Sequence, residues 1–213
     1  MIPSFVCAVP ARHVDNEPRI FRTWEASKFQ GYNCTIWEAA RATSAAPRFF
    51  KRILIGDPGM EEEFVDAGLG CNNPTKQLIQ EASQELSSDA LVGCIVSIGT
   101  GQPKVSGFAK PSAFQRILPL ELIEVLKGIA TDTEKVARDM EDRFRMCPGL
   151  YHRLNVDRGL DEISLEEWQR LGEVRTHTER YIRQSHVDRS IDAIVNALVG
   201  KAAMVPLGNL GKS

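Results

Sequence analysis

Short apolar runs at residues 4–9 (SFVCAV) and 19–24 (RIFRTW) predict two strands joined by the polar loop ARHVDNEP. The pattern then lengthens to helical period in TIWEAARATSAAP. Thr35 followed three residues later by Glu38 is a capping box, and Pro47 is the expected stop. RFFKRILI leads through the acidic turn GDPGMEEE into EFVDAGLGCNNP, residues 63–74, where Phe64 and Val65 read as the end of a buried strand. Asn73 suits a helix N-cap and Pro74 a first helical position. In the helix that follows, Leu78, Ile79, Ala82 and Leu86 form the expected apolar stripe. LVGCIVSIG (91–99) is a continuous apolar run that predicts one central strand buried on both faces. Residues 100–112, TGQPKVSGFAKPS, are the strongest loop candidate.

Beyond that loop the chain turns mostly helical. Val136, Met140 and Phe144 fall at helical spacing, LYHRLNV predicts a further strand, and Ser164 with Glu167 forms a second capping box. VDRSIDAIVNALVG reads as another helix and KAAMVPLGNLGKS as a loose tail. Alternating strands and helices in the first half argue for an α/β fold with helices layered on a sheet. Because the first strand begins almost at Met1, such a sheet is expected to expose an unpaired edge unless something covers it.

Composition narrows the class. The 213 residues are 43% hydrophobic and 25% charged, as in a soluble globular protein, and fit one large domain or one and a half small ones. A net charge of −2 leaves no electrostatic footprint for nucleic acid. Five dispersed cysteines (Cys7, Cys34, Cys71, Cys94, Cys147) without a C-x-x-C pair imply reduced thiols and a cytoplasmic setting. No apolar run approaches the roughly 20 residues of a membrane helix. MIPSFVCAVPA lacks a basic stretch and holds two prolines, so it reads as a strand rather than a signal peptide.

The candidate chemistry centres on Asp66. It lies at a strand end, over a sharp turn with Gly68 and Gly70, whose backbones accept angles that other residues resist, and just ahead of a helix. In α/β proteins binding and catalytic groups collect at such points. A turn aspartate that only caps its own loop is the alternative reading. Other motifs fall away. GNLGKS has Pro206 where a phosphate loop needs its first glycine, and no helix follows Ser213. His13, Asp15 and Glu17 lie in a proline-bounded loop far from His152, His177 and His186, so no metal site is expected. Ser185, His186 and Asp188 are helix neighbours that do not face one another. RFFKR (48–52) mixes basic and aromatic residues as a lipid-surface contact does, although Phe49 and Phe50 are expected in the core.

Three pieces in fixed order, IWEAARATSAAPRFF, FVDAGLGCNNP and IVSIGTG, resemble the patatin-like phospholipase family. YHRLNVDRGL, SLEEWQRLGEV and THTERYI look like the helical extension of its fungal-type, multidomain members, so the resemblance covers about residues 4–200. It implies a three-layer α/β/α sheet, incomplete N-terminally, with a helical C-terminal extension. Residues 1–105 would be the C-terminal part of the catalytic domain, 106–200 its helical extension and 201–213 a flexible tail.

The family consists of serine acyl hydrolases with a Ser–Asp dyad. Asp66 in DAG takes the place of the Asp in the family's D-G-[GA] motif, as proton acceptor, with Ala67 and Gly68 as the turn. The family's nucleophile lies on a G-x-S-x-G elbow, with a glycine-rich oxyanion loop upstream. This sequence has neither, and the nearest approach, Ser97 in CIVSIGTG, reads as a buried strand residue rather than a nucleophile. No catalytic role is carried onto Thr43 or Ser44.

Both absent motifs precede the matched region in the family. The expectation is therefore the second half of a patatin domain, inactive alone, with Met1 an internal start, a gene-model artefact or an artificial boundary. The implied substrate is a phospholipid or acylglycerol ester. A missing N-terminal half, additional domains and a transient membrane-surface contact are the implied partners, with no metal, cofactor or nucleic acid. The alternative is a non-catalytic remnant serving as an interaction module.

Overall fold

β1 (Phe5–Pro10) and β2 (Arg19–Arg22) form where the short apolar runs predict strands. The computed structural model describes residues 2–12, 17–26, 31–47, 49–102, 120–160, 163 and 167–210, with residues 120–131 described by their backbone. His13, Asp15, Arg48, the loop from 103 to 112, Ser164 and residues 211–213 lie outside the described residues. The chain divides into two compact units, Met1–Glu85 with Pro119–Lys135, and Leu86–Leu118 with Val136–Ser213.

In the first unit, α1 (Ile36–Thr43) starts on the expected capping box. The Glu38 N–H donates to Thr35 Oγ1 at 3.2 Å and the Thr35 N–H to Glu38 Oε2 at 2.7 Å. The helix ends at Thr43, short of Pro47, where Ser44 Oγ bonds back to the Ala40 carbonyl at 2.8 Å. By then the Ala45 carbonyl is committed to the sheet, accepting the Asp66 N–H at 3.1 Å.

β3 (Ile53–Ile55) and β4 (Glu62–Asp66) complete an antiparallel sheet in the order β2-β1-β4-β3. β1 is thus an interior strand, with Cys7 opposite Ile20 and Ala8 opposite Asp66, and the sheet's edges are β2 and β3. Alternation along the strands sends Ala8, Phe21 and Phe64 to one side, where they pack with Ala42 of α1 and Ile55. Phe21, Tyr32 and Phe64 pack with ring centroids 5.3–5.5 Å apart, Phe64 meeting the other two edge to face. Cys7 faces the other side and packs with Ala67 and Cys71.

α2 (Thr75–Glu85) begins beside the predicted cap. Asn73 Oδ1 accepts from the Thr75 N–H at 3.3 Å and from its hydroxyl at 2.6 Å. The expected apolar stripe is corrected, however. Ile79 is buried, but Leu78 and Leu86 are exposed, and the buried partners on α2 are Thr75 and Glu81. Glu81 is drawn inward by Arg22 of β2, which meets it with Nε and with Nη2 at 2.6 Å.

In the second unit the run at 91–99 is not one strand. It breaks at Gly93–Cys94 into β5 (Leu91–Val92) and β6 (Ile95–Ile98). Nor is it buried on both faces, since Leu91 is 63% and Ile98 76% exposed. Among the described residues β6 pairs with one strand, the parallel β7 (Tyr151–Leu154), as a long connection containing α3 (Leu120–Arg143) permits. Beyond β6, Gly101 adopts a φ of 116° and donates its N–H to Asn155 Oδ1 at 2.7 Å, a turn that glycine makes without strain.

Val136, Met140 and Phe144 are buried as their spacing predicts. α4 (Leu171–Ile182) and α5 (Ser185–Leu198) follow, with Ser185, His186 and Asp188 all exposed on α5. Within the segment read as a tail, β8 (Val205–Pro206) pairs with β5, and Leu207 and Leu210 are buried. Among the described residues no helix is long and apolar enough to cross a membrane.

Candidate functional site

β4 delivers Asp66 to the end of the antiparallel sheet. Its backbone is still in register with Ala8, and the chain then turns through a single 3-10 turn, Ala67–Leu69. Asp66 Oδ1 accepts the Gly68 N–H at 2.6 Å, while the Gly70 and Cys71 amides close the turn on the Ala67 carbonyl at 3.1 and 2.7 Å. The carboxylate is half-buried.

Gly68 is required here for space. A Cβ on Gly68 would sit 2.8 Å from Asp66 Oδ1, displacing the carboxylate from its hydrogen bond. This corrects the expectation of unusual backbone angles. Neither Gly68 nor Gly70 has a positive φ, and Gly70 at −175° is simply extended. Ala67 is buried at the first position of the turn.

Beneath the turn, Cys71 donates a thiol hydrogen bond to Cys7, which holds the Cys7 thiol below its ordinary pKa and pushes that of Cys71 up. On its far side Asn72 Nδ2 donates to Thr133 Oγ1 at 2.9 Å, so the loop leaving Asp66 is anchored at both ends.

Burial raises the Asp66 carboxyl above its ordinary value of 3.8, outweighing the Gly68 N–H that pulls it down. The folded state therefore binds this proton more tightly than the unfolded chain does. Stability falls as pH rises from the unfolded value through the folded one, and the ionised group is a penalty above that window. Asp66→Asn keeps an acceptor for the Gly68 N–H and removes the charge. Thermal melts should show the variant more stable than wild type at pH 7, with the gap closing below about pH 4. An equal or lower Tm for the variant at pH 7 would contradict this electrostatic account.

Among the described residues no serine, threonine or histidine hydrogen-bonds the Asp66 carboxylate. Ser44 is occupied by the Ala40 carbonyl. Ser97, in the second unit, is buried in β6 and accepts from Arg153 Nη1 at 2.9 Å, as its reading as a strand residue predicts. Phe50 departs from expectation. It is 57% exposed, with the Arg41 guanidinium 5.2 Å from its ring centroid, and Phe49 is only half-buried. Ile36 and Trp37 on the first turn of α1 are exposed too. The sequence signal for these exceptions was the flanking positive charge of Arg41, Lys51 and Arg52. No group of three or more His, Cys, Asp or Glu among the described residues is placed to hold a metal ion.

Comparison with known proteins bears on this site. The chain is 31% identical over 169 residues to calcium-independent phospholipase A2-gamma of Oryctolagus cuniculus, an alignment covering 78% of this chain and 20% of that protein. It is 31% identical over 156 residues to phospholipase A I of Arabidopsis thaliana, covering 70% of this chain and 11% of the relative. Patatin-like protein 3 of Arabidopsis thaliana is 32% identical over 101 residues, 40% of this chain and 24% of the relative. At about 30% identity, then, the chain's homologues are phospholipases and a patatin-like protein. The chain spans about a fifth of the length of the first of these. No family model and no solved structure matches it.

Proposed function

We propose that this chain is part of a patatin-like lipid acyl hydrolase and contributes the acidic member of a Ser–Asp dyad, Asp66. The observation that carries the reading is the state of that carboxylate. It stands at a strand end, half-buried, with its pKa raised by burial and one oxygen pinned by the Gly68 N–H. A base of raised pKa takes a hydroxyl proton more effectively, and a pinned one does so in fixed geometry. The phospholipase homologues support a lipid ester as substrate.

In this mechanism Asp66 accepts the proton of a serine hydroxyl as its oxygen attacks the ester carbonyl. The proton then passes to the departing alcohol, leaving an acyl-serine that water hydrolyses with Asp66 as base again. The chain holds no G-x-S-x-G segment, so the serine is supplied from outside it, and the chain alone is inactive. The exposed Ile36, Trp37 and Phe50, with Arg41 over the Phe50 ring, support a transient contact with a lipid surface.

A second reading, a non-catalytic interaction module, is favoured by the lack of a hydroxyl on the Asp66 carboxylate among the described residues. Labelling of the purified chain with a fluorophosphonate, read by intact mass with circular dichroism to verify folding, tests the role assigned here. The expected result is no adduct. A stoichiometric adduct lost in Asp66→Asn would show that the nucleophile lies within this chain and overturn the half-site reading.

A further inference from the structure

The second unit carries a cavity of about 330 Å³ between the segment that follows β7 and the helix α4. Arg158 and Gly159 line it from one side, and His177, Arg180 and Tyr181 from the other. Such a volume lies at the small end of ligand pockets.

Its geometry depends on Gly159. This residue has a φ of 91°, in the left-handed region, and a Cβ there would lie 2.2 Å from Cε1 and Nδ1 of His177. Both the backbone angle and the space exclude a side chain, so the imidazole lies directly against the backbone. The floor is fixed as well. Tyr181 is buried with Val156 and Val187, and its hydroxyl accepts the Asn155 N–H at 3.1 Å.

Among the described residues, the charges that line the cavity are unbalanced. The carboxylates of α4 are already matched, Glu173 by Arg170 at 2.7 Å and Glu179 by Arg175 at 2.8 Å. Among the described residues, no carboxylate forms an ion pair with Arg158 or Arg180. Among the described residues, the carboxylate that lines the cavity, Asp157, meets only the Gln184 amide, at 3.5 Å. Among the described residues, two arginines and a histidine thus line a concave site that holds a single acid. Guanidinium forks match the oxygens of a phosphate, which they bind through paired, charge-assisted hydrogen bonds.

We propose that this cavity binds a phosphate group, held by Arg158 and Arg180 and oriented by His177. The site is independent of the role assigned to Asp66. The same chemistry is offered by inorganic phosphate and by the phosphomonoester headgroup of phosphatidic acid.

The experiment uses the full chain. Isothermal titration with inorganic phosphate is run on wild type, on Arg158→Gln/Arg180→Gln, and on Arg175→Gln as a matched exposed arginine outside the cavity. Flotation with phosphatidylcholine vesicles, with and without phosphatidic acid, is run on the same three proteins.

Saturable phosphate binding is expected in wild type and Arg175→Gln, weakened about tenfold or more in the double variant. If phosphatidic acid vesicles also recruit the chain and the double variant is not recruited, the ligand is a lipid headgroup. If vesicles are ignored while phosphate binds, it is a soluble phosphate. Absence of saturable binding up to about 10 mM, or an equal loss in Arg175→Gln, would overturn the proposal. The substituted arginines are exposed, and circular dichroism verifies that each variant is folded.

Discussion

In an assembly that supplies the serine, Asp66→Asn is expected to lower kcat by roughly 10²–10⁴-fold, the range lost with a general base. The amide keeps the shape of the carboxylate and can still accept the Gly68 N–H, so the turn at Ala67–Leu69 should persist. What is lost is the capacity to take a proton from the nucleophile. KM should change little, because the substituted atom acts on the serine rather than on the substrate. Steady-state hydrolysis of a phospholipid ester, wild type against variant, gives the comparison. Combined with the expected gain in Tm at pH 7, the outcome would be a variant more stable and far less active, as at sites strained for function. A variant that loses both stability and activity would instead mark Asp66 as a structural turn residue.

The second large effect lies away from that carboxylate, in the buried pair between β2 and α2. Glu81→Ala is expected to destabilise the chain by about 3–5 kcal/mol, the loss typical of removing one member of a buried ion pair. The side chains of Arg22 and Glu81 are only 11% and 5% exposed. Arg22 also donates from Nη1 to the Ile20 carbonyl at 3.2 Å, so its position is set by β2 and it cannot follow water when Glu81 is removed. Replacing both residues together, Arg22→Met with Glu81→Leu, should recover most of the loss, because no uncompensated charge remains. Urea denaturation of Arg22→Met, Glu81→Leu and the double variant measures the coupling, with Glu81→Ala run beside them. A Glu81→Ala loss below about 1 kcal/mol would mean that the pair behaves as a surface contact.

What the sequence revealed was mostly local. The Thr35–Glu38 capping box, the cap at Asn73 and the strand ending at Asp66 each depend on residues within a few positions, and each appears where the pattern puts it. The largest errors concern partners distant in sequence. The α2 stripe was misread because Glu81 is made a buried residue by Arg22, 59 positions away. The run at 91–99 reads as one strand until β5 is seen pairing with β8 and β6 with β7. Phe50 looks like core by composition, yet it lies under an arginine at the surface.

At the candidate site, the position of Asp66 was legible. The reason for Gly68 was not, because the crowding of its missing Cβ by Asp66 Oδ1 exists only once the turn is folded. The burial that raises the carboxyl pKa is likewise a property of packing rather than of spacing.

Reconstitution asks whether Asp66 activates a serine supplied from outside the chain. A separately made segment from a patatin-like relative, carrying a glycine-rich loop and a G-x-S-x-G elbow, is mixed with the folded chain, exposed to a fluorophosphonate and mapped by mass. The expected result is an adduct on the elbow serine with the wild-type chain and its loss with Asp66→Asn. Association of the two parts without an adduct, or an adduct equally strong with the Asn variant, would contradict it.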